Sequence, residues 1–439
     1  MPVRNRALRS AALRVLVVAG CAAGGLAASQ TAQTAHAAVK TAPGTYAYVT
    51  DTIGNNVTVI NTATNTVTAT IGVGNTPLGV AVSPDGRTVY VTNSLSNTVS
   101  VLDATTETVA ATVSVGHDPQ AVAVTPDGKR AFVANNVDNS VSVINTATDS
   151  VTATIGVGVN PEGVAISPDG TRAYVANTGS GSISVIDTGT DTVAATVNVG
   201  AIPVGLVVVS PDGSHVWAAD AGDGTVSVIT TSNDSVQTIS AGGSPYGVAA
   251  SGDGSTIYVT DRANNKLQII SASSLTVAGS VATGNTPQQV ALTPDGSHAY
   301  VANHGDDTVS VINLATRTAG TPIPAGSNPL GIAIGTILPD PTTLTAGSGH
   351  LSLVPLGASG LNATLTSNGT PLAGQTISFT ATDGTPLCHA VTNANGYAVC
   401  NAVPPILTTL TVLLGGYNAT FAGTVYYKPS SAHGSLQLL

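Results

Sequence analysis

The chain has 439 residues, 42% hydrophobic but only 3% aromatic and 8% charged, so its core must be built from Val, Ala, Ile and Thr. Its 48 Gly and 24 Pro fall short of the roughly 25–30% combined share of low-complexity chains, and charge this sparse excludes a disordered polyelectrolyte. A net charge of −10 with no basic cluster excludes a nucleic-acid backbone as the main partner.

Residues 1–37 read as an export signal. Arg4, Arg6, Arg9 and Arg14 form a positive start, Val15 to Ala28 is apolar and small, and Ala35-His36-Ala37 fits the small-x-small cleavage rule. A second reading takes Val18-Ala19-Gly20-Cys21 as a lipobox, with Cys21 lipid-anchored. Removing the segment leaves 9 basic against 23 acidic residues, a balance of −14. No later window reaches the roughly 18 apolar residues that span a bilayer. The mature protein is therefore expected outside the cytoplasm or at the cell wall, as a monomer.

From residue 44 the sequence repeats. Pro77, Pro119, Pro161, Pro203, Pro245, Pro287 and Pro329 are spaced by 42 residues at every step. Each opens a short apolar run such as Gly79-Val80-Ala81-Val82. A turn of the type Ser83-Pro84-Asp85-Gly86 follows, in which Pro presets φ and Gly takes the left-handed position. The next run ends in Tyr90-Val91-Thr92-Asn93 or its equivalents, and two further strands complete the unit. Four short strands per repeat predict a propeller blade, with strands A to D from the inside outward. Seven A and seven B strands share only six A–B turns, at Asp85, Asp127, Asp169, Asp212, Asp253 and Asp295. The first blade must therefore take strands B to D from residues 46–73 and strand A from residues 330–335, which closes the ring. Blade five is expected to carry an inserted bulge around Val207 to Val209.

The Tyr-Val-Thr-Asn and Ser-Pro-Asp-Gly signatures over residues 44–336 resemble the YVTN family of seven-bladed β-propellers of bacterial secreted and archaeal surface-layer proteins. That resemblance implies fold more than function, since relatives of this architecture include lactonases, a lyase that opens streptogramin antibiotics, and binding proteins. Residues 337–342 form a Pro-rich linker, after which the period stops. In residues 343–439, Pro371-Leu372-Ala373-Gly374, Asn395-Gly396-Tyr397-Ala398 and Tyr427-Lys428-Pro429-Ser430-Ser431 resemble bacterial Ig-like repeats, which implies a small β-sandwich. The full expectation is all-β: a seven-bladed propeller followed by an Ig-like sandwich. Cys388 and Cys400, an even pair in an exported chain, are expected to form a disulfide across a hairpin centred near Ala394.

Any site belongs on the face shared by the D–A and B–C loops. The residues closing the B strands read, around the ring, Asp51, Asn93, Asn135, Asn177, Asp220, Asp261 and Asn303. Asp51, Asp220 and Asp261, with His304, make an acidic arc facing a neutral Asn arc, and Asn303, His117 and Asp118 are further polar candidates. Such an arc could hold Ca²⁺ or Mg²⁺; otherwise no cofactor is expected. The plainer account is that Asx side chains at strand ends bond their own turns. No phosphate loop, HExxH or nucleophile elbow occurs. The sequence thus favours a non-enzymatic binding or scaffold protein for an extracellular protein, glycan or cell-wall ligand. The alternative is a metal-assisted lyase or lactonase-type hydrolase on the same face.

Overall fold

The computed structural model describes residues 41–353, 356–403 and 415–438, so the expected export signal with Cys21 and the cleavage site at Ala37 lies outside the described residues. Seven sheets with A-B-C-D order follow one another along the chain. In blade two the strands are Pro77–Val82, Thr88–Asn93, Thr98–Asp103 and Thr108–Ser114. Each innermost strand touches those of both neighbouring blades, and the last touches the first, so the ring is closed.

Closure occurs in blade one, as the repeat count requires. Strand Pro329–Ile337 pairs antiparallel with Gly44–Asp51, placing Tyr46 opposite Gly335, Tyr48 opposite Ala333 and Asp51 opposite Pro329. No edge is left where the chain enters and leaves the ring.

Seven apolar clusters fill the seven blade interfaces, each drawing on two successive blades. The aromatic that leads each B strand is buried in one of them: Tyr48, Tyr90, Phe132, Tyr174, Trp217, Tyr258 and Tyr300. One large ring at most interfaces, and two, Tyr46 and Tyr48, between blades one and two, explain how so few aromatics suffice. Full burial of such a side chain contributes about 1.5–3 kcal/mol.

Two blades depart from the pattern. In blade five the register slips between Val204 and Val207, so the extra residue sits at Gly205 and Leu206 rather than at Val207 to Val209. Gly205 has φ +65, which favours glycine, and that conformational freedom places the bulge there. The outer strand Ser235–Ser240 lacks the bulge its equivalents carry, which absorbs the missing residue downstream. In blade seven the outer strand breaks into Thr318–Ala319 and Ile323–Pro324 around Gly320, Thr321 and Pro322.

After residue 342 further strands form a nine-stranded sheet around a core of its own, with Leu351, Leu361, Leu365, Ile377, Phe379 and Tyr417 buried. The junction is tied to the ring, since Asp340 pairs with Arg87 at 2.5 Å and the same guanidinium donates to the Leu338 carbonyl. The Cys388–Cys400 disulfide is present, with Cα atoms 6.4 Å apart. Its setting differs from the expected hairpin. Pro386–Val391 pairs with Thr376–Ala381, placing Cys388 opposite Phe379, while Tyr397–Ala402 pairs with Leu356–Ser367, placing Cys400 opposite Leu361. After the tight turn at Asn393–Gly396 the strands diverge to separate partners, so the bond ties together two strands that share no ladder.

Among the described residues no helix is long and apolar enough to cross a membrane. A disulfide of this kind persists in oxidising compartments.

Candidate functional site

The D–A and B–C loops meet at one end of the ring, around the mouth of the channel. Three sets of residues, repeated blade by blade, build this end. The outermost set is the Asx residue that closes each B strand.

These residues are all but inaccessible, and each is engaged within its own blade. Asn303 donates from Nδ2 to Thr308 and Ser310, as Asn93, Asn135 and Asn177 do to their own hydroxyl pairs. Asp220 accepts from Ser227 and Thr225 at 2.7 and 3.2 Å. Asp51 accepts from the Gly54 N–H and Asn56. Asp261 accepts from Asn264 and Gln268. The strand-C hydroxyls that serve the Asn blades as acceptors serve Asp220 as donors, since a hydroxyl can play either part. Burial lifts the Asp220 carboxyl to about 6, with Ser227 and Thr225 opposing the rise and Asp223 adding to it. The aspartates of the arc therefore belong to separate turns, and among the described residues no three His, Cys, Asp or Glu side chains converge to hold a metal ion.

The second set belongs to the loops. Asp118, at φ 55, accepts the Ser94 hydroxyl and the Gln120 amide, so it is a fixed part of the rim. His117 precedes it. Its backbone N–H donates to Asp138 Oδ2 at 2.7 Å, and its Nδ1 lies 2.9 Å from Oδ1 of the same carboxylate. Asp223 and Asp306 cap the equivalent loops of blades five and seven through backbone N–H groups. In blade three the capping carboxylate also fixes an imidazole. With Nδ1 engaged, the ring's Nε2 makes no hydrogen bond among the described residues, and the side chain is 68% exposed. His304, across the ring in blade seven, is spent differently: its Nε2 lies 3.0 Å from Asn328 Nδ2 and its Nδ1 is buried without a partner. Burial and nearby Arg262 push its pKa down.

The third set is the residue that follows each ring proline: Leu78, Gln120, Glu162, Val204, Tyr246, Gln288 and Leu330. Sequence reasoning passed over it. The signal was available, because this position changes chemical class from blade to blade while its neighbours do not. Glu162 and Tyr246 stand out. Burial raises the Glu162 carboxyl, with Gly205, Thr178 and Arg262 opposing. Burial and Glu162 push the Tyr246 hydroxyl up to about 12. The Arg262 guanidinium lies over the Tyr246 ring, 4.5 Å from its centroid.

His215 and His298 sit at the opposite end, beside Ser214 and Ser297 in the A–B turns.

The closed ring of seven four-stranded blades defines an all-β seven-bladed propeller. A profile of the cytochrome D1 heme domain matches residues 7–332, and the chain belongs to that family. Among solved structures, hydrazine synthase of Kuenenia stuttgartiensis is similar at 26% identity over 61% of this chain and 92% of that one, with a TM-score of 0.57. A dihydro-heme d1 dehydrogenase, NirN, solved in complex with DHE, is similar in fold at 16% identity, covering 66% of this chain and 74% of its own, with a TM-score of 0.51. A putative 6-phosphogluconolactonase from Bacteroides uniformis shares the fold at 20% identity, covering 66% of this chain and 99% of its own, with a TM-score of 0.57. No curated protein matches the chain.

Family membership overturns the expectation of a protein without a cofactor, or with only Ca²⁺ or Mg²⁺ on the acidic arc. The physical reason the arc misled is that its carboxylates face their own turns. What an iron tetrapyrrole asks of a protein is an axial ligand such as an imidazole. Metal-ligating histidines usually give their other ring nitrogen to a carboxylate, which sets tautomer and orientation. His117 with Asp138 has that arrangement, so the donor set fits the group.

Proposed function

We propose that the chain is an exported binding protein whose propeller holds a heme-type tetrapyrrole at the D–A and B–C loop face, where His117 is the residue that would hold its iron. The observation that carries this reading is the His117–Asp138 pair, which leaves one imidazole nitrogen available on the exposed rim. Asp138 fixes the ring's orientation and the tautomer that leaves Nε2 free. A bound heme would supply an iron centre for one-electron chemistry or for holding a further ligand. The chain's own part is to present the imidazole on a loop that needs no reorganisation, which limits the entropy lost on binding. The strands beyond residue 342 act, on this reading, as an Ig-like spacer between the ring and its surroundings, and the disulfide suits an oxidising location.

Titration of the mature protein with hemin tests it. A shifted, saturable Soret band is expected, with His117→Ala removing the spectral signature of a histidine ligand and Asp138→Asn lowering hemin affinity by roughly tenfold, the low end for a carboxylate that supports a ligating histidine. Binding with an unchanged spectrum in His117→Ala, or no binding at all, would overturn the assignment.

A further inference from the structure

The broken outer strand of blade seven changes what that blade presents on the flank of the ring. In blade two, Thr108–Ser114 runs unbroken beside Thr98–Asp103. In blade seven the chain pairs with Thr308–Asn313 only at its two ends, Thr318–Ala319 and Ile323–Pro324. Gly320, Thr321 and Pro322 stand where blade two has Ala110, Ala111 and Thr112. Pro322 and Pro324 have no N–H to give a ladder, so the pairing fails there. The break opens a cavity of about 430 Å³ against the Asn65 turn of blade one, a volume in the range of small-molecule sites. Its walls combine apolar Val311, Pro322 and Ile323 with polar Asn65, His298 and Asn313.

Hydrogen bonds within the protein fix what each polar group has left to offer. Asn65 Oδ1 accepts the Tyr300 hydroxyl at 2.5 Å, and Asn313 Oδ1 accepts the Thr316 N–H at 2.9 Å. Neither Nδ2 donates to a partner among the described residues, so both amides offer donors. Ser297 spends its one hydroxyl proton on Asp295 at 2.8 Å. Its Oγ therefore accepts from His298 Nδ1, 2.8 Å away, and the neutral imidazole keeps Nε2 as an acceptor.

No carboxylate, lysine or arginine lines this cavity. The groove beside Tyr174 has Asp169, Arg172 and Asp212, and the one beside Trp217 has Asp212 and Asp253. A charged ligand would give up water in the blade-seven cavity and find no opposite charge. The cavity therefore suits a neutral molecule that carries an acceptor, a donor and an apolar group close together.

We propose that it binds the acetamido group of an N-acetylhexosamine. The acetamido carbonyl accepts from the Asn65 and Asn313 amides, its N–H donates to His298 Nε2, and its methyl lies against Val311 and Ile323. The sugar hydroxyls, which both donate and accept, have Thr321 in the same wall, and an acetylated peptide carries the amide without them. The site is on blade seven, away from His117 in blade three, so the proposal goes beyond the heme reading and does not rest on it.

Ligand-observed NMR titration of the full mature chain with N-acetylglucosamine should give a millimolar or tighter Kd. Glucose, which lacks the acetamido group, and glucosamine, which carries a charge in its place, should bind at least roughly tenfold more weakly, the scale of a lost buried hydrogen bond. Asn313→Asp keeps the acceptor for Thr316 and removes the donor, and His298→Phe keeps a ring and removes the acceptor. Each should lower affinity by a similar factor while melting as sharply as the parent, and Asn65→Asp, which keeps the acceptor for Tyr300, replaces either one that melts early. His117→Ala should leave N-acetylglucosamine binding unchanged while altering hemin binding, which separates failure of one idea from failure of the other. No binding of N-acetylglucosamine, equal binding of glucose, N-acetylalanine amide binding as tightly as the sugar, or undiminished affinity in the folded variants would each overturn the proposal.

Discussion

The two ends of the propeller carry the same residue, aspartate, in two opposite states. At the A–B turn end, Asp212, Asp253 and Asp295 are each held at about 2, chiefly by the hydroxyl two positions before them, at Ser210, Ser251 and Thr293, and then by the backbone N–H two positions on. At the mouth end Asp220 is lifted to about 6 by burial. The turn end is wet and repeats one solution, so its carboxylates stay charged and structural. At the mouth end the position of Asp220 is buried, and in four of the seven blades it carries Asn instead of a carboxylate. Uniformity marks the scaffold, and departure from it marks where the molecule is specialised.

The largest expected effect breaks the uniformity of the turn end. Gly86 has φ +73, and a Cβ there would stand 2.0 Å from the carbonyl of Thr336 on the closing strand, whereas a Cβ on Gly296, at φ +67, would meet nothing within 4 Å. Gly86→Ala must displace the strand that seals blade one, a loss of about 3 kcal/mol, the upper end for overpacked cores. Gly296→Ala should cost only about 1 kcal/mol, from the left-handed conformation itself. Equal melting temperatures for the two variants would mean that the closing strand does not bear on this turn.

A smaller effect sharpens the contrast between the carboxylates. A raised carboxyl pKa means that the folded state binds a proton which the unfolded state has already released, so Asp220 makes stability fall as pH rises from the ordinary carboxylate range to about 6. Asp220→Asn removes that dependence and restores the Asn of the other blades. Its gain should be about 1–2 kcal/mol above this window and vanish below it, as read from chemical denaturation at several pH values. For Asp253 the sign is reversed: its stabilising hydrogen bonds persist at neutral pH and are lost as pH falls toward about 2. Carbon NMR titration of the two side chains measures both directly, and coincident midpoints would erase the distinction.

How much of this could be read from sequence follows the same divide. Seven copies of one alternation gave seven independent views of the blade, and the count of turns located the closing strand at Pro329–Ile337. The bulge in blade five was displaced by two residues because backbone freedom at Gly205, not the apolar run, decides its place. The C-terminal strands offered a single copy. There the cysteine pair was legible but its setting was not, since Tyr397–Ala402 finds a better partner in Leu356–Ser367 than in the strand before the turn. Of the mouth, His117 was legible as a polar residue but its carboxylate Asp138 was not, because the two lie 21 positions apart and meet only through loop packing.

The smallest expected effect concerns what locks the inner strands beneath the mouth. Every inner strand is bulged after its proline, which in blade two leaves the Gly79 N–H without a ladder partner. The Thr92 hydroxyl accepts that N–H at 2.8 Å and donates at 2.7 Å to the Gln120 carbonyl of the next blade, so one oxygen serves two blades. Thr50 and Thr260 do the same toward Leu78 and Gln288. In the other four blades Ala134, Ala176, Ala219 and Ala302 occupy this position and cannot. Thr92→Ala strands a buried donor and a buried acceptor and should cost about 1–2 kcal/mol. Ala176→Thr offers the same hydroxyl to Gly163, but the next blade's carbonyl lies beside the inserted bulge at Gly205, where the latch geometry is disturbed. Its gain should therefore stay below about 0.5 kcal/mol, since one new bond must offset the crowding of a residue that is 1% exposed. A loss at Thr92 no larger than a surface substitution would show that packing alone, without the hydroxyl latch, holds neighbouring blades in register around the channel.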